Sequence, residues 1–279
     1  MKTLIYTSIY SKLFGTEFGG RPGRETHYKL SLYNILNLKA NDYICFTSQE
    51  ELGELENFFY VEKSIDPSKL KFVVFDLHKS PYFEEIRRLK NMEEIINYDR
   101  CFEIQYNKFF WLDLIENIQE YDRVYWFDAG LSHVALFPEE YSYGEGIEFY
   151  YFFNLFTEKF LNSLNELTNS SIVLIGRRDG GEGTIPETYY NEYEREYHIV
   201  GGFFGGTPER MFEFKSLFEP LLKTLLEKEP TLYHEELLMS SIYHNNKDKF
   251  NILSFYQWNY YLERENESTF FYDIFRNMA

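Results

Sequence analysis

Short apolar runs alternate with amphipathic segments along this chain, as strands and helices do in α/β proteins. Runs rich in β-branched and aromatic residues predict six strands, at Thr3–Ile9, Asp42–Thr47, Lys71–Asp76, Arg123–Asp128, Ser171–Gly176 and His198–Phe204. Apolar residues at helical spacing predict helices over 28–38, 50–59, 83–96, 108–118, 149–167, 209–227 and 234–244. Strands separated by helices are typical of a mainly parallel sheet covered on both faces. The pattern therefore predicts an α/β fold.

The length of the chain suits one domain. Its 279 residues contain no low-complexity linker and no internal repeat, so a single domain over 1–279 is expected.

Charge and cysteine usage narrow the function classes. The 45 acidic and 28 basic residues give a net charge of −17, which repels phosphate backbones and excludes general nucleic-acid binding. Cys45 and Cys101 are the only cysteines, too few for a disulfide framework and without CxxC spacing. The first apolar run is too short for a signal peptide, and no stretch is long enough to span a bilayer. We expect a cytoplasmic protein with at most peripheral membrane association.

Asp128 ends the strand written RVYWFD and is followed by Ala129 and Gly130. Ligands of parallel sheets bind beyond the carboxyl ends of the strands, and a carboxylate there can hold Mg²⁺ or Mn²⁺ against a diphosphate. The alternative is an aspartate that caps the turn after the strand.

Two glycine pairs flank an aromatic pair in the segment VGGFFGGTPE. Glycine inside a strand marks close approach by a ligand or by another backbone, so Gly201 and Gly202 are candidates for contact with a ligand. The alternative is a bulged hairpin edge. Thr207 and Pro208 then predict the start of a helix.

Glu235 and Glu236 open the last predicted helix, where acidic residues are also favoured by the helix dipole alone. Position 238 is Leu, so the zinc-protease spacing HExxH is absent. The order of motifs is what adds weight: an acid at a strand end, a glycine-rich strand, and acids at a helix start.

Basic residues at strand ends are candidates for phosphate binding. Arg21 and Arg24 lie in the glycine-rich loop after the first strand, and Arg177 follows the fifth. A guanidinium group suits phosphate oxygens. The alternative is an ordinary solvated surface. The glycine-rich segment 179–183 is a candidate lid.

The segments VYWFDAG, IVGGFFGGTPE and HEELLMSSIYH resemble the HtrL/YibB family of bacterial proteins, as does Tyr106-Asn107-Lys108. The resemblance runs from Thr3 to about His244. It implies a GT-A-like, Rossmann-related fold, with a nucleotide-binding half over 1–130 and an acceptor-binding half over 131–279. The implied activity is transfer of a sugar from a nucleotide-sugar donor, UDP-linked, to a glycan or surface-polysaccharide acceptor.

The resemblance also implies roles for the candidate residues. Asp128 would hold a divalent metal, Mn²⁺ or Mg²⁺, with the donor diphosphate, and Glu235 or Glu236 would act as base or orient the donor. The positions expected to contact the donor are Thr7, Ser8, Tyr10, Arg21, Arg24, Lys108, Arg177, Gly201 and Gly202. One departure is Gly130, which stands where a GT-A DxD motif has its second acid. A phosphoryl or nucleotidyl transferase, and a silent nucleotide-sugar-binding protein, are the competing hypotheses.

Overall fold

A seven-stranded mixed sheet forms the centre of the computed structural model, which describes residues 1–13, 16–19, 25–92, 101–131, 157–177 and 198–255. The strands are β1 (Thr3–Ile9), β2 (Asp42–Thr47), β3 (Leu70–Val74), β4 (Arg123–Phe127), β5 (Ile172–Arg177), β6 (His198–Gly206) and β7 (Phe250–Phe255). Their order across the sheet is β3-β2-β1-β4-β6-β5-β7. Six of the seven strands were predicted, to within two residues at each end.

The order of the strands creates a switch point between β1 and β4. From β1 the chain moves outward through β2 and β3, and it returns on the other side of β1 as β4, all in parallel. Sheets of this kind bind ligands beyond the carboxyl ends of the strands at such a switch point. Strand β6 runs antiparallel to β4, so its first residues lie at the same edge as the end of β4.

Helices cover both faces of the sheet. They are α1 (Glu25–Ile35), α2 (Gln49–Glu56), α3 (Phe83–Met92), α4 (Phe102–Phe110), α5 (Glu158–Leu167), α6 (Pro208–Lys228) and α7 (Glu235–Asn245). Leu32, Leu55 and Phe160 belong to the core on one face, from helices α1, α2 and α5. The core on the other face includes Ile86, Phe109, Phe214 and Leu238, from helices α3, α4, α6 and α7. The predicted α/β class, with a Rossmann-related and mainly parallel sheet flanked by helices, is confirmed.

Strand β4 shows why this sequence forms a central strand. Val124 and Trp126 enter one core, and Tyr125 and Phe127 enter the other. A strand buried on both faces is apolar at every position, which explains the unbroken run VYWF. Its end therefore delivers Asp128 from a rigid base.

Several described segments differ from the predictions. The helix predicted over 149–167 is not continuous, because Thr157 is extended and caps the start of α5 at Glu158. The helix predicted over 108–118 is wrong in position, because α4 spans Phe102–Phe110 and short 3₁₀ turns follow at Trp111–Leu114 and Ile118–Glu120. Asn117 adopts a left-handed conformation with φ of 54°, which no α-helix accommodates. Strand β7, which pairs in parallel with β5, was not predicted.

A buried ion pair ties the segment after β1 to helices α3 and α4. Glu103 is fully buried, and Lys90 Nζ lies 2.9 and 2.8 Å from its two carboxylate oxygens. Lys90 also donates to the Phe18 carbonyl at 3.1 Å. The described part of this loop is therefore fixed to the body of the fold.

Cys45 and Cys101 are buried and free, in agreement with the absence of a disulfide framework. Among the described helices, none combines the length and apolar character needed to cross a membrane.

Candidate active site

Asp128 lies immediately after β4, at the switch point. Its backbone N–H donates to the Gly202 carbonyl at 2.8 Å, and its Oδ1 accepts the Gly130 N–H at 2.8 Å. The Leu131 N–H closes the turn on the Asp128 carbonyl at 2.9 Å. The carboxylate therefore caps the turn with one oxygen, as the structural alternative predicted. That bond still leaves Oδ2 available to a ligand.

The backbone of Gly201 is hydrogen-bonded on both sides, by Glu236 of α7 and by Lys108 of α4. Glu236 Oε1 accepts the Gly201 N–H at 3.0 Å, and Glu236 Oε2 lies 3.4 Å from His198 Nε2. Lys108 Nζ donates to the Gly201 carbonyl at 3.0 Å and to Glu235 Oε1 at 2.5 Å. Glu235 and Glu236 thus fix strand β6 and helix α7 against each other at the carboxyl edge of the sheet.

Lys108 is a buried positioning residue. It is 3% exposed, and its ammonium lies 5.4 Å from the centre of the Trp126 ring. The Tyr6 hydroxyl holds the backbone of α4 by donating to the Lys108 carbonyl at 2.7 Å. The Lys108 ammonium contacts Glu235 and the Gly201 carbonyl, which indicates that Lys108 orients Glu235. The resemblance implied a different role for Lys108, namely direct contact with the donor.

Glu235 has one oxygen that the protein leaves without a partner. The residue is 2% exposed, and Oε2 has no hydrogen-bond partner in the described part of the chain. Buried polar atoms are nearly always hydrogen-bonded, so an unpartnered one needs an explanation.

Among the described side chains next to Asp128, negative charges outnumber positive ones. Three carboxylates (Asp128, Glu235 and Glu236) face one ammonium, Lys108, for a formal sum of −2. Burial raises the pKa of Asp128 above its ordinary value, and the two glutamates raise it further. Lys108 and the Gly130 N–H act in the opposite direction. In the described ranges, no group of three or more His, Cys, Asp or Glu residues is arranged to hold a metal ion together.

The glycines of β6 have a packing reason that the sequence did not show. A Cβ on Gly201 would lie 2.2 Å from Glu235 Oε1, so the carboxylate of Glu235 occupies the space that a side chain would need. The Glu235 carboxylate therefore fills the place of a side chain at position 201, and the contact of Gly201 with a sugar stays a prediction. Gly202 presents its carbonyl to Asp128, and neither glycine has a positive φ.

The segment GGFF is a bulge, but it does not lie at an edge. Pairing between β5 and β6 passes from Leu174–Phe204 directly to Ile175–Val200, which leaves three residues of β6 unmatched. Strand β6 is internal, between β4 and β5. The first of the three, Gly201, is the residue whose backbone Lys108 and Glu236 contact, and bulges often redirect the backbone in this way beside functional sites.

Of the donor contacts predicted at the end of the first strand, Tyr10, which follows β1, belongs to the core. It is 1% exposed, it donates to the Phe75 carbonyl at 3.0 Å, and it stacks on Trp111. Burial raises the pKa of its hydroxyl well above the usual range. Thr7 and Ser8 are buried near the carboxyl end of β1, and Thr7 Oγ1 has no partner among the described residues.

The predicted basic residues are only partly described. The backbone of Arg177 ends β5 opposite His198, at the same edge as Asp128, while its side chain lies outside what the structure describes. Arg21, Arg24 and the predicted lid over 179–183 also lie outside the described residues.

Two residues at the site were not predicted. Tyr28 of α1 packs against Gly130, and His198 lies beside Glu236. No local motif marks either residue. A lysine in the apolar run YNKFFW was the available signal for the buried pair, since a lysine is almost never buried without a partner.

Solved structures align with most of this chain at low identity. Galactosyltransferase LgtC, in complex with donor and acceptor sugar analogues, matches at 8% identity and TM-score 0.46, covering 89% of this chain and 72% of its own. A 4-diphosphocytidyl-2C-methyl-D-erythritol synthase from Anaerococcus prevotii matches at 9% and 0.42, covering 91% and 88%. A glucose-1-phosphate thymidylyltransferase from Bacillus anthracis, in complex with sucrose, matches at 12% and 0.41, covering 91% and 86%.

No family model and no curated protein matches the chain. At these identities and TM-scores, the alignments do not indicate an activity.

The raised pKa of Asp128 predicts that the variant Asp128→Asn is more stable than the parent at pH 7. Asparagine keeps the oxygen that accepts the Gly130 N–H, and it removes a charge that the folded state disfavours. We expect the melting temperature at pH 7, in EDTA, to rise by roughly 2 °C or more.

The pH dependence gives the control. Because the folded-state pKa is raised, the parent regains stability as the pH falls through it, and the difference should vanish below the ordinary value of 3.8. The variant Asp128→Ala, which also loses the cap, should be less stable than Asp128→Asn. A difference that does not change with pH would contradict the account.

Proposed function

We propose that this protein is a GT-A-type glycosyltransferase, which moves a sugar from a UDP-linked donor to a glycan acceptor of the surface-polysaccharide kind. The observation that carries the proposal is the pairing of two unequal carboxylates at the switch point. Asp128 presents an oxygen at the end of β4, and Glu235 presents a buried oxygen without a partner while Lys108 holds its other oxygen. One group suits the donor and the other suits the acceptor.

The donor side is assigned to Asp128. The free oxygen of Asp128 and the formal charge of −2 suit a divalent cation, Mn²⁺ or Mg²⁺, bound together with the donor diphosphate. When bound, such an ion offsets the charge that develops on the leaving nucleoside diphosphate. Thr7, Ser8 and Arg177 lie along the same edge and are proposed to bind the nucleotide, with Arg21 and Arg24 assigned to its phosphates.

The acceptor side is assigned to Glu235. Lys108 fixes Oε1, so Oε2 points one way and can take the proton of the acceptor hydroxyl as its oxygen attacks the donor sugar. The bond between the sugar and the diphosphate then breaks. Glu236 is occupied by the Gly201 N–H and His198, and we assign it a positioning role. These contacts support Glu235, over Glu236, as the base.

Binding of the donor predicts that UDP and a metal ion bind together. Titration calorimetry should give an affinity for UDP at least about tenfold higher with Mn²⁺ than in EDTA, since a divalent ion would offset the repulsion between the Asp128 carboxylate and the diphosphate. Asp128→Asn should remove this difference without loss of fold.

The outcomes separate the competing functions. Equal affinity with and without Mn²⁺ rejects the metal role, and no binding of any nucleoside diphosphate rejects the donor role. Release of pyrophosphate from a nucleoside triphosphate identifies a nucleotidyl transferase. Binding of UDP-hexoses without hydrolysis or transfer identifies a silent binding protein.

The assignment of the base predicts different losses from the two glutamates. Glu235→Gln keeps an oxygen for Lys108 but cannot take a proton, so kcat for UDP release from UDP-hexoses should fall about 10²–10⁴-fold with UDP affinity retained. Glu236→Gln keeps the acceptor for the Gly201 N–H and should retain most of the activity.

The two variants are isosteric, so each is the other's control. Equal losses of kcat in the two variants would contradict the assignment. A larger loss of kcat in Glu236→Gln, at an unchanged melting temperature, would reverse it.

A further inference from the structure

Strand β6 extends beyond the end of its neighbour β4. Phe127, the last residue of β4, pairs with Phe203, and among the described strands none pairs with residues 198–201 on this side of β6. The alternate N–H groups that point to this side need acceptors from outside the sheet, because buried N–H groups are nearly always hydrogen-bonded.

Helix α7 supplies two such acceptors. Glu236 Oε1 accepts the Gly201 N–H at 3.0 Å, and Ser240 Oγ accepts the Ile199 N–H at 2.9 Å. The two side chains are four residues apart, so they lie on one face of the helix, about 6 Å apart along its axis. Alternate N–H groups of a strand are about 6.7 Å apart, so the helix matches the spacing of β6 and takes the place of a strand partner.

The hydroxyl of Ser240 is oriented by its own helix. Ser240 is 3% exposed, and its Oγ donates to the Glu236 carbonyl at 2.6 Å. A hydroxyl has one proton to donate, so toward β6 the oxygen can only accept. Helix α7 therefore fixes Ser240 as an acceptor for the Ile199 N–H before any ligand binds.

We propose that Ser240 is a positioning residue for the Lys108–Glu235 pair and acts on that pair through the backbone of β6. This inference rests on the proposed function, in which Glu235 takes the acceptor proton. Gly201 is two residues from Ile199 in the strand. Its carbonyl accepts from Lys108 at 3.0 Å, and the Glu235 carboxylate fills the place of its Cβ. A shift of the strand at Ile199 therefore moves the backbone against which both charged groups are placed.

Removal of the hydroxyl should slow turnover without weakening donor binding. Ser240→Ala takes the acceptor from the Ile199 N–H, and the variant should fold because alanine suits a helix interior. A misplacement of about 1 Å can cost about 10²-fold in rate, and for a smaller shift we expect kcat for UDP release from UDP-hexoses to fall about tenfold. The affinity for UDP should not change.

The matched control is Thr224→Ala in α6. The Thr224 hydroxyl donates to the carbonyl four residues earlier, Pro220, at 2.8 Å, as the Ser240 hydroxyl does to Glu236. Loss of that bond alone should leave kcat unchanged.

A double-mutant cycle with Glu235→Gln separates a positioning role from a general effect on the fold. If Ser240 acts through Glu235, Ser240→Ala should cause no further loss of kcat once Glu235 can no longer take a proton. Two results would overturn the inference: an unchanged kcat in Ser240→Ala, or the same fold-loss from Ser240→Ala in both backgrounds.

Amide hydrogen exchange, followed by NMR, tests the coupling without activity. Ser240→Ala should speed exchange at Ile199 and also at Gly201, whose own acceptor, Glu236, is unchanged. Faster exchange confined to Ile199 would reject coupling through β6.

Failure of the proposed function is distinguishable. If the parent binds no nucleoside diphosphate and releases no UDP, but both amides respond, the coupling stands and the function falls. If the parent is active and Ser240→Ala keeps its kcat, only this inference falls.

Discussion

The site depends on one buried ion pair, between Lys108 of α4 and Glu235 of α7. Removing two charges from water is costly, and attraction repays that cost only where the remaining hydrogen-bonding groups are also matched. Here Lys108 finds a second acceptor in the Gly201 carbonyl, while one oxygen of Glu235 is left without a protein partner. That incomplete satisfaction is what separates this pair from the Lys90–Glu103 pair, in which the ammonium contacts both carboxylate oxygens. The Lys90–Glu103 pair therefore satisfies itself and stabilises the fold. The Lys108–Glu235 pair leaves Glu235 Oε2, which the proposed function assigns to a ligand.

Most other features of the edge follow from this pair. Strand β6 bulges so that the backbone of Gly201 meets Lys108 and Glu236, and position 201 is a glycine because the Glu235 carboxylate fills the Cβ position. The bulge also places the Gly202 carbonyl on the Asp128 N–H, which ties the end of β4 to the same cluster. Burial at this edge then raises the pKa of Asp128, and the two glutamates add to that increase. In the proposed function, the charges that a ligand would meet are therefore already in place in the free protein.

The sequence predicted what depends on local pattern and missed what depends on contacts across the fold. Buried strands such as β4 were found within one residue, because burial on both faces writes itself as an unbroken apolar run. Asp128, Glu235 and Glu236 were found as acids at element ends. The different roles proposed for the three acids could not be predicted, because they depend on Lys108, which is 127 residues from Glu235 in the sequence. In the sequence, Gly130 is only the absence of an expected acid. In the structure, the ring of Tyr28 occupies the place of a side chain at position 130, and no local pattern reveals that contact.

The most direct test of the central claim is a crystal structure of the protein soaked with UDP and Mn²⁺. If the proposed function is right, the diphosphate will lie beyond the ends of β1 and β4, and the ion will lie next to Asp128 Oδ2 and the phosphate oxygens. Glu235 Oε2 should face the open side of the β-phosphate, and Lys108 should remain on Glu235 and Gly201. A nucleotide bound elsewhere on the sheet, or a phosphate that displaces Glu235 from Lys108, would contradict it.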